Sequence, residues 1–158
     1  MLESNNLTEY LKQKLNIPLE QELTEEDLLK ITEVSINGKD LQGNSNDYDF
    51  KDFLKMTNLQ YLNLQNFIID NYETNIINRI KTLKTLQLTD CKIKSKSTLF
   101  NNIELLSFTS CTKVNLKYFE NLKSLNTLKI NLCGKAKIDS LDGFANLKTI
   151  DIIDTKIK

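Results

Sequence analysis

The sequence contains no histidine, no tryptophan, a single proline and four glycines, and only Arg79 among its 21 basic residues is an arginine. Without histidine there is no Ser-His-Asp triad, no imidazole metal ligand and no side chain that ordinarily titrates near neutral pH. The glycines Gly38, Gly43, Gly134 and Gly143 form no phosphate-cradling loop. No catalytic residue, cofactor-binding residue or metal ligand is therefore expected, and no cofactor. Near absence of arginine, the better bidentate phosphate reader, argues against nucleic acid as a partner. No run approaches the roughly 18 apolar residues a spanning helix needs, so membrane insertion is not expected. Residues Met1 to Tyr10 are polar and acidic where a secretory leader is basic and then apolar. The expected location is cytoplasmic, with secretion or surface display the alternative if a leader has been removed.

What is present fits one folded unit. The chain has 158 residues, 40% of them hydrophobic, enough to bury a core. Its net charge is zero, yet residues 1–50 carry eleven acids and four bases, while residues 51–158 carry ten acids and seventeen bases. Such a dipole orients an approaching partner.

A segment of the form Leu-x-x-Leu-x-Leu-x-x-(Asn/Cys)-x-Leu recurs six times. Its copies are Ile31, Val34, Ile36, Leu41; Leu59, Leu62, Leu64, Ile69; Leu83, Leu86, Leu88, Cys91, Ile93; Ile103, Leu106, Phe108, Cys111; Leu125, Leu128, Ile130, Cys133; and Leu147, Ile150, Ile152, Ile157. They begin 28, 24, 20, 22 and 22 residues apart. The pattern resembles the leucine-rich repeat family, which implies an α/β solenoid, a curved horseshoe whose parallel β-sheet lines the concave face. The physics agrees. Alternation at the fourth and sixth positions puts two apolar side chains on one face of a short strand, and a single repeat cannot bury them; stacked repeats share one core.

Between the strands a second apolar signal recurs at Phe53 and Leu54, Ile76, Ile77 and Ile80, Leu99 and Phe100, Leu116 and Phe119, and Leu141 and Phe144, which should wall the core from outside. Segments 48–56 and 75–81 are long enough for a turn or two of helix, and the later connections should be 3₁₀ or irregular. Cys91, Cys111 and Cys133 all take the ninth position, and Thr155 continues the column with a hydroxyl. An inert stack of reduced thiols bonding to loop backbone is the reading to weigh against a redox or metal role. Lys39 and Phe67 break the column in the first two repeats, where remodelled loops are expected.

Before the first repeat the spacing of Leu7, Leu11 and Leu15 predicts a helix ending before Pro18, and a second helix should run from about Glu25 to Ile31. For the second, Thr24 is the N-cap, with Asp27 three residues on. Residues 1–30 are thus a helical cap and residues 31–158 a solenoid of about six repeats. The segments LTEEDLLKITEVSINGKDL and SLDGFANLKTIDIIDTKIK are similar to the internalin-like subgroup of bacterial leucine-rich repeat proteins.

In that family the concave sheet binds proteins, and its outward side chains are those at the third, fifth and seventh positions. The partner-binding candidates from these rows are Glu33, Tyr61, Leu105 and Thr127; Asn63, Gln87, Ser107, Lys129 and Asp151; and Ile153. Tyr61 and Leu105 are the expected anchors, apolar groups ringed by polar ones. The resemblance implies a protein-protein interaction module with a protein partner. The alternative is a structural unit that self-associates into a homo-oligomer through an uncapped C-terminal edge. A flank of lysines, Lys92, Lys94, Lys96, Lys113, Lys135, Lys137, Lys156 and Lys158, could face an anionic surface, but composition alone would produce it.

Overall fold

The structure, a computed structural model, describes residues 2, 5–39, 49–95, 102–119 and 122–157. Expectations resting on Leu41, Gly43, Tyr48, Lys96, Leu99, Phe100 and Lys158 lie outside them. In chain order the elements are helices α1 (Asn5–Leu15) and α2 (Glu25–Leu29), strand β1 (Glu33–Asn37), a 3₁₀ helix at Phe50–Lys55, strands β2 (Tyr61–Gln65) and β3 (Ile68–Ile69), and helix α3 (Asn71–Arg79). There follow β4 (Thr85–Thr89), β5 (Lys92–Ile93), β6 (Leu105–Thr109), β7 (Val114–Asn115), a 3₁₀ helix at Leu116–Phe119, β8 (Thr127–Asn131), β9 (Ala136–Lys137) and β10 (Thr149–Ile153).

The six five-residue strands occupy the third to seventh positions of the six repeats and form one parallel sheet in the order β1-β2-β4-β6-β8-β10. The register is strict, each position facing the same position of its neighbour, as in Val34 opposite Leu62 and Leu106 opposite Leu128. The chain is a leucine-rich repeat solenoid. Two short parallel pairs, β3 with β5 and β7 with β9, line the flank behind the main strands.

Apolar alternation sets the core. Val34, Leu62, Leu86, Leu106 and Leu128 at the fourth position are fully buried, and Ile36, Leu64, Leu88, Phe108 and Ile130 at the sixth lie beside them. The outer wall holds Phe53, Ile76, Ile77, Ile80, Leu116, Phe119 and Phe144 as expected; Leu141 instead lies exposed. Phe108 packs edge-on against Phe119, with ring centroids 5.1 Å apart. In the sixth repeat the core-facing Ile150 and Ile152 are 41% and 37% exposed.

Three local differences from the sequence reading have identifiable causes. Helix α3 starts four residues earlier than the apolar spacing implied, because Asp70 caps it: its carboxylate accepts the Tyr72 N–H at 2.7 Å, while Glu73 accepts the Asp70 N–H at 2.9 Å. Helix α2 stops at Leu29, its C-cap Lys30 N–H turning back to the Asp27 and Leu28 carbonyls. In repeats four and five the eleventh position, Ile69 and Ile93 earlier in the chain, passes to Lys113 and Lys135, and burial shifts one residue on to Val114 and Ala136.

Backbone ladders bind repeat to repeat. Each second-position carbonyl accepts two N–H groups from the next repeat, as Gln60 does from Lys84 and Thr85 at 2.8 and 2.9 Å. At the eighth position the chain turns sharply out of the strand: Asn66, Asp90, Ser110, Leu132 and Asp154 all adopt φ between 47° and 59°. Their turn places each N–H, except that of Asp154, against a seventh-position carbonyl of the next repeat, at 2.8 to 3.0 Å. Gly38 holds the equivalent place in the first repeat for another reason, since a Cβ there would sit 2.9 Å from the Asn66 carbonyl oxygen.

Candidate functional site

The register assembles the expected binding surface on the open face of the sheet. Glu33, Tyr61, Leu105 and Thr127 fall in one row, with Thr85 between the second and third of them. Asn63, Gln87, Ser107, Lys129 and Asp151 continue a second row, and Ile153 ends the third. The ten side chains thus lie on one face, but unequally accessible. Glu33 and Ile153 are exposed, Ser107 is only 7% exposed, and the other seven are half-buried.

Several of these groups already hold one another. The Tyr61 hydroxyl donates to Gln87 Oε1 at 2.8 Å, and Asn63 Nδ2 donates to Ser35 Oγ at 2.9 Å. Burial, then the Glu33 carboxylate, raises the Tyr61 phenol above its ordinary value, so the ring stays neutral and its hydroxyl remains a donor. Glu33 is itself ion-paired with Lys14 at 2.9 Å, which lowers its carboxyl. Tyr61 is therefore a positioned ring whose face is available, while its polar end is committed. Leu105 stands between Thr85 and Thr127 as an apolar point in a row of hydroxyls. The Oδ1 atoms of Asn63 and Asn131 are buried without a hydrogen-bond partner among the described residues.

Sequence reasoning missed the part helix α1 plays here. The Tyr10 hydroxyl accepts the Ser35 backbone N–H at 3.1 Å and so occupies the free edge of β1, where unpaired strand backbone would otherwise lie. It also lines a hollow of about 300 Å³ with Asn6, Glu9, Gln13, Ser35, Ile36 and Asn37. The signal was present in the chain: Tyr10 and Lys14 sit one helical turn apart, beside the Leu7 and Leu11 stripe.

The cysteine column forms as expected. All three thiols are free and buried, and each Sγ donates to the sixth-position carbonyl of the preceding repeat: Cys91 to Leu64 at 3.3 Å, Cys111 to Leu88 at 3.2 Å, Cys133 to Phe108 at 3.8 Å. The Thr155 hydroxyl repeats the bond to Ile130 at 3.1 Å. Thiol neighbours on both sides, and then burial, push the middle thiol Cys111 up, which keeps it protonated and unreactive. Among the described residues no group of three or more His, Cys, Asp or Glu could hold a metal ion. Lys39 is exposed, and Phe67, half-buried, fills the broken ninth slot against Phe50 with centroids 5.8 Å apart. A second side-chain ladder, unread in the sequence, runs just before the first position: Asn58, Thr82, Asn102 and Asn146 donate to the carbonyls of Leu29, Thr57, Lys81 and Lys123.

No protein-family model matches the sequence, and no curated protein matches it. Among solved structures the chain is similar to an internalin (inlF) of Listeria monocytogenes, with a TM-score of 0.46 and 18% identity over 97% of this chain; the chain spans 57% of that protein's length. It is also similar to internalin C2 (inlC2) of the same organism, with a TM-score of 0.40 and 16% identity over 93% of this chain and 92% of that one.

Proposed function

We propose that this chain is a protein-interaction module that binds a protein partner across the concave face of its sheet, with Tyr61 and Leu105 as anchors. One observation carries the reading. Strict register lays the outward side chains in three rows, mostly neutral and polar, with apolar points at Tyr61, Leu105 and Ile153, the first held by its bond to Gln87. Interfaces concentrate their energy in such positioned aromatic and aliphatic groups within a rim of hydrogen-bonding ones. The mixed, weakly charged face suits a surface recognised by shape and hydrogen bonds rather than by electrostatic steering. Catalysis has no residues behind it on this face.

The test is capture from a lysate of the native organism with three baits: wild type, Tyr61→Ala with Leu105→Ala, and Lys117→Ala on the opposite side as control. A protein retained by wild type and by the control but lost by the double variant supports the concave site. Retention by all three baits, or equal loss from the control, overturns it.

The C-terminal edge favours a second reading, self-association. The core-facing Ile150 and Ile152 of β10, the last strand of the sheet, are 41% and 37% exposed, and Ile157 beyond it is 46% exposed. Contiguous apolar surface beside an unpaired strand is an association site. Sedimentation velocity decides it: concentration-dependent dimers abolished by Ile152→Lys support self-association, and a monomer throughout overturns it.

A further inference from the structure

The β10 end of the sheet is open in two respects, side chain and backbone. Six of the ten large apolar side chains exposed among the described residues lie between Leu132 and Ile157, so apolar exposure is gathered at this end. Ile150 and Ile152 are its core-facing part, and their counterparts in the five earlier repeats are at most 5% exposed. The Thr149 N–H donates to the Asn126 carbonyl at 3.0 Å and the Ile153 carbonyl accepts from Leu132 at 2.8 Å, so Thr149, Asp151 and Ile153 turn their backbone toward β8. Strand backbone alternates, and Ile150 and Ile152 therefore present both N–H and C=O to the other side, where no strand pairs with β10 among the described residues. The Lys148 carbonyl and the Asp154 N–H extend that outward row.

The β1 end is closed. Helix α1 reaches β1 at two points, where the Tyr10 hydroxyl holds the Ser35 N–H and Lys14 pairs with Glu33 at 2.9 Å. Head-to-tail stacking of copies, which needs a free β1, is barred. What is left for like-with-like pairing is one open edge against another, a two-fold contact that closes on itself and cannot grow into a filament.

Resting on the self-association reading, we propose that the occupant of this edge is a second copy of the chain, its β10 antiparallel to the first, with Asp151 of each copy on the two-fold axis. One register meets every outward backbone group: Ile150 exchanges both bonds with Ile152 of the second copy, and the Asp154 N–H meets the Lys148 carbonyl. Sliding by two residues either way leaves the Asp154 N–H or the Lys148 carbonyl unmatched, and sliding by one sets core-facing isoleucines against concave-face residues. The same register lays the half-covered isoleucines of one copy beside those of the other, completing the core across the axis, and brings Lys148 and Asp154 together at both ends of the contact. Its one adverse pair is Asp151 against Asp151, each with Lys129 beside it in register on β8.

Sedimentation velocity of the whole chain between about 1 and 100 µM should show monomer–dimer exchange, with the Ile150 and Ile152 amides gaining hydrogen-exchange protection as concentration rises. Asp151→Asn should tighten the dimer about two- to fivefold by removing the like charges from the axis. Asp151→Cys sets two thiols across the axis at a spacing that a disulfide spans, so with oxidised glutathione as the electron acceptor it should cross-link into a covalent dimer. Thr149→Cys, which faces Ile153 of the second copy, should not, nor should the wild type, whose three cysteines are buried. Tyr61→Ala with Leu105→Ala should leave the dimer unchanged, which separates this edge from the concave face. A monomer at every concentration overturns the self-association reading and the proposal with it. A dimer in which Asp151→Cys fails to cross-link, Thr149→Cys cross-links as well, or Asp151→Asn does not tighten the association overturns the two-fold register alone. Species that keep growing with concentration, or a dimer lost with Tyr61 and Leu105, overturn it too.

Discussion

At the scale of the residue, the eighth position shows how a repeat constrains side chains that hydrophobic periodicity never mentions. Four of its five left-handed occupants are Asn66, Asp90, Ser110 and Asp154, small polar residues, the asparagine and aspartates among the types that best tolerate positive φ. Leu132 is the exception. At φ 55° it holds a bulky side chain in a disfavoured region while that side chain stays 55% exposed and so recovers little by burial. Replacing Leu132→Asn should therefore raise stability by about 0.5–1 kcal/mol, read as a higher urea midpoint at unchanged slope. An unchanged or lower midpoint would mean that Leu132 makes contacts that offset its backbone strain. The ninth position was legible in the sequence because three cysteines share it. The eighth was not, because the requirement falls on the backbone and is met by four different residue types.

At the scale of the element, the apolar periods located α1 and the six main strands, whereas helix starts were set by hydrogen bonds between polar residues. Helix α2 was read correctly at Thr24: its hydroxyl accepts the Asp27 N–H at 3.2 Å and Asp27 Oδ2 accepts the Thr24 N–H at 3.1 Å. Helix α3 has the same reciprocal cap, but its Asp70 and Glu73 precede the apolar residues and were passed over. Cap and ion pair together make α2 sensitive to acid. The Lys30 ammonium, 2.7 Å from Asp27, and then the Thr24 bonds lower the Asp27 carboxyl from 3.8 to about 2. A carboxyl depressed on folding contributes stability that is complete above the unfolded value, near 3.8, and is lost as pH falls through the folded one, near 2. Asp27→Asn should accordingly flatten the decline in thermal midpoint between about pH 4 and pH 2, while Glu22→Gln leaves it intact. A decline of equal steepness in both variants would remove Asp27 from the account of acid sensitivity.

At the scale of the whole molecule, the two ends of the sheet differ. The β1 edge is occupied by the Tyr10 hydroxyl of α1, and the β10 edge carries exposed isoleucines. Central strands have a neighbour on both sides and fully buried fourth-position residues, so protection should fall along the sheet toward its last strand. Hydrogen exchange should be slowest in β4 and β6 and fastest in β10, with β1 intermediate. Uniform protection across all six strands would show that the solenoid opens as one cooperative unit. The sequence made the repeat and its outward rows legible because both follow from period and register. It did not make legible the one-residue shift of the buried flank position to Val114 and Ala136 in repeats four and five, an irregularity invisible until the strands are stacked.

The unequal spacing of the repeats gives the molecule a built-in ruler. Each main strand pairs with the strands of the adjacent repeats, and the side-chain bonds between neighbouring repeats span 20 to 29 residues of sequence. Pulled by its two ends in an optical trap, such a chain gives way by shedding terminal repeats rather than by breaking across the middle. Each lost repeat releases a tether fixed by its own length, about 75 Å of extended chain for 22 residues. If the weaker β10 end yields first, the steps arrive in the order 22, 22, 20, 24 and 28 residues, a short step flanked by longer ones that states in a single trace which end came undone.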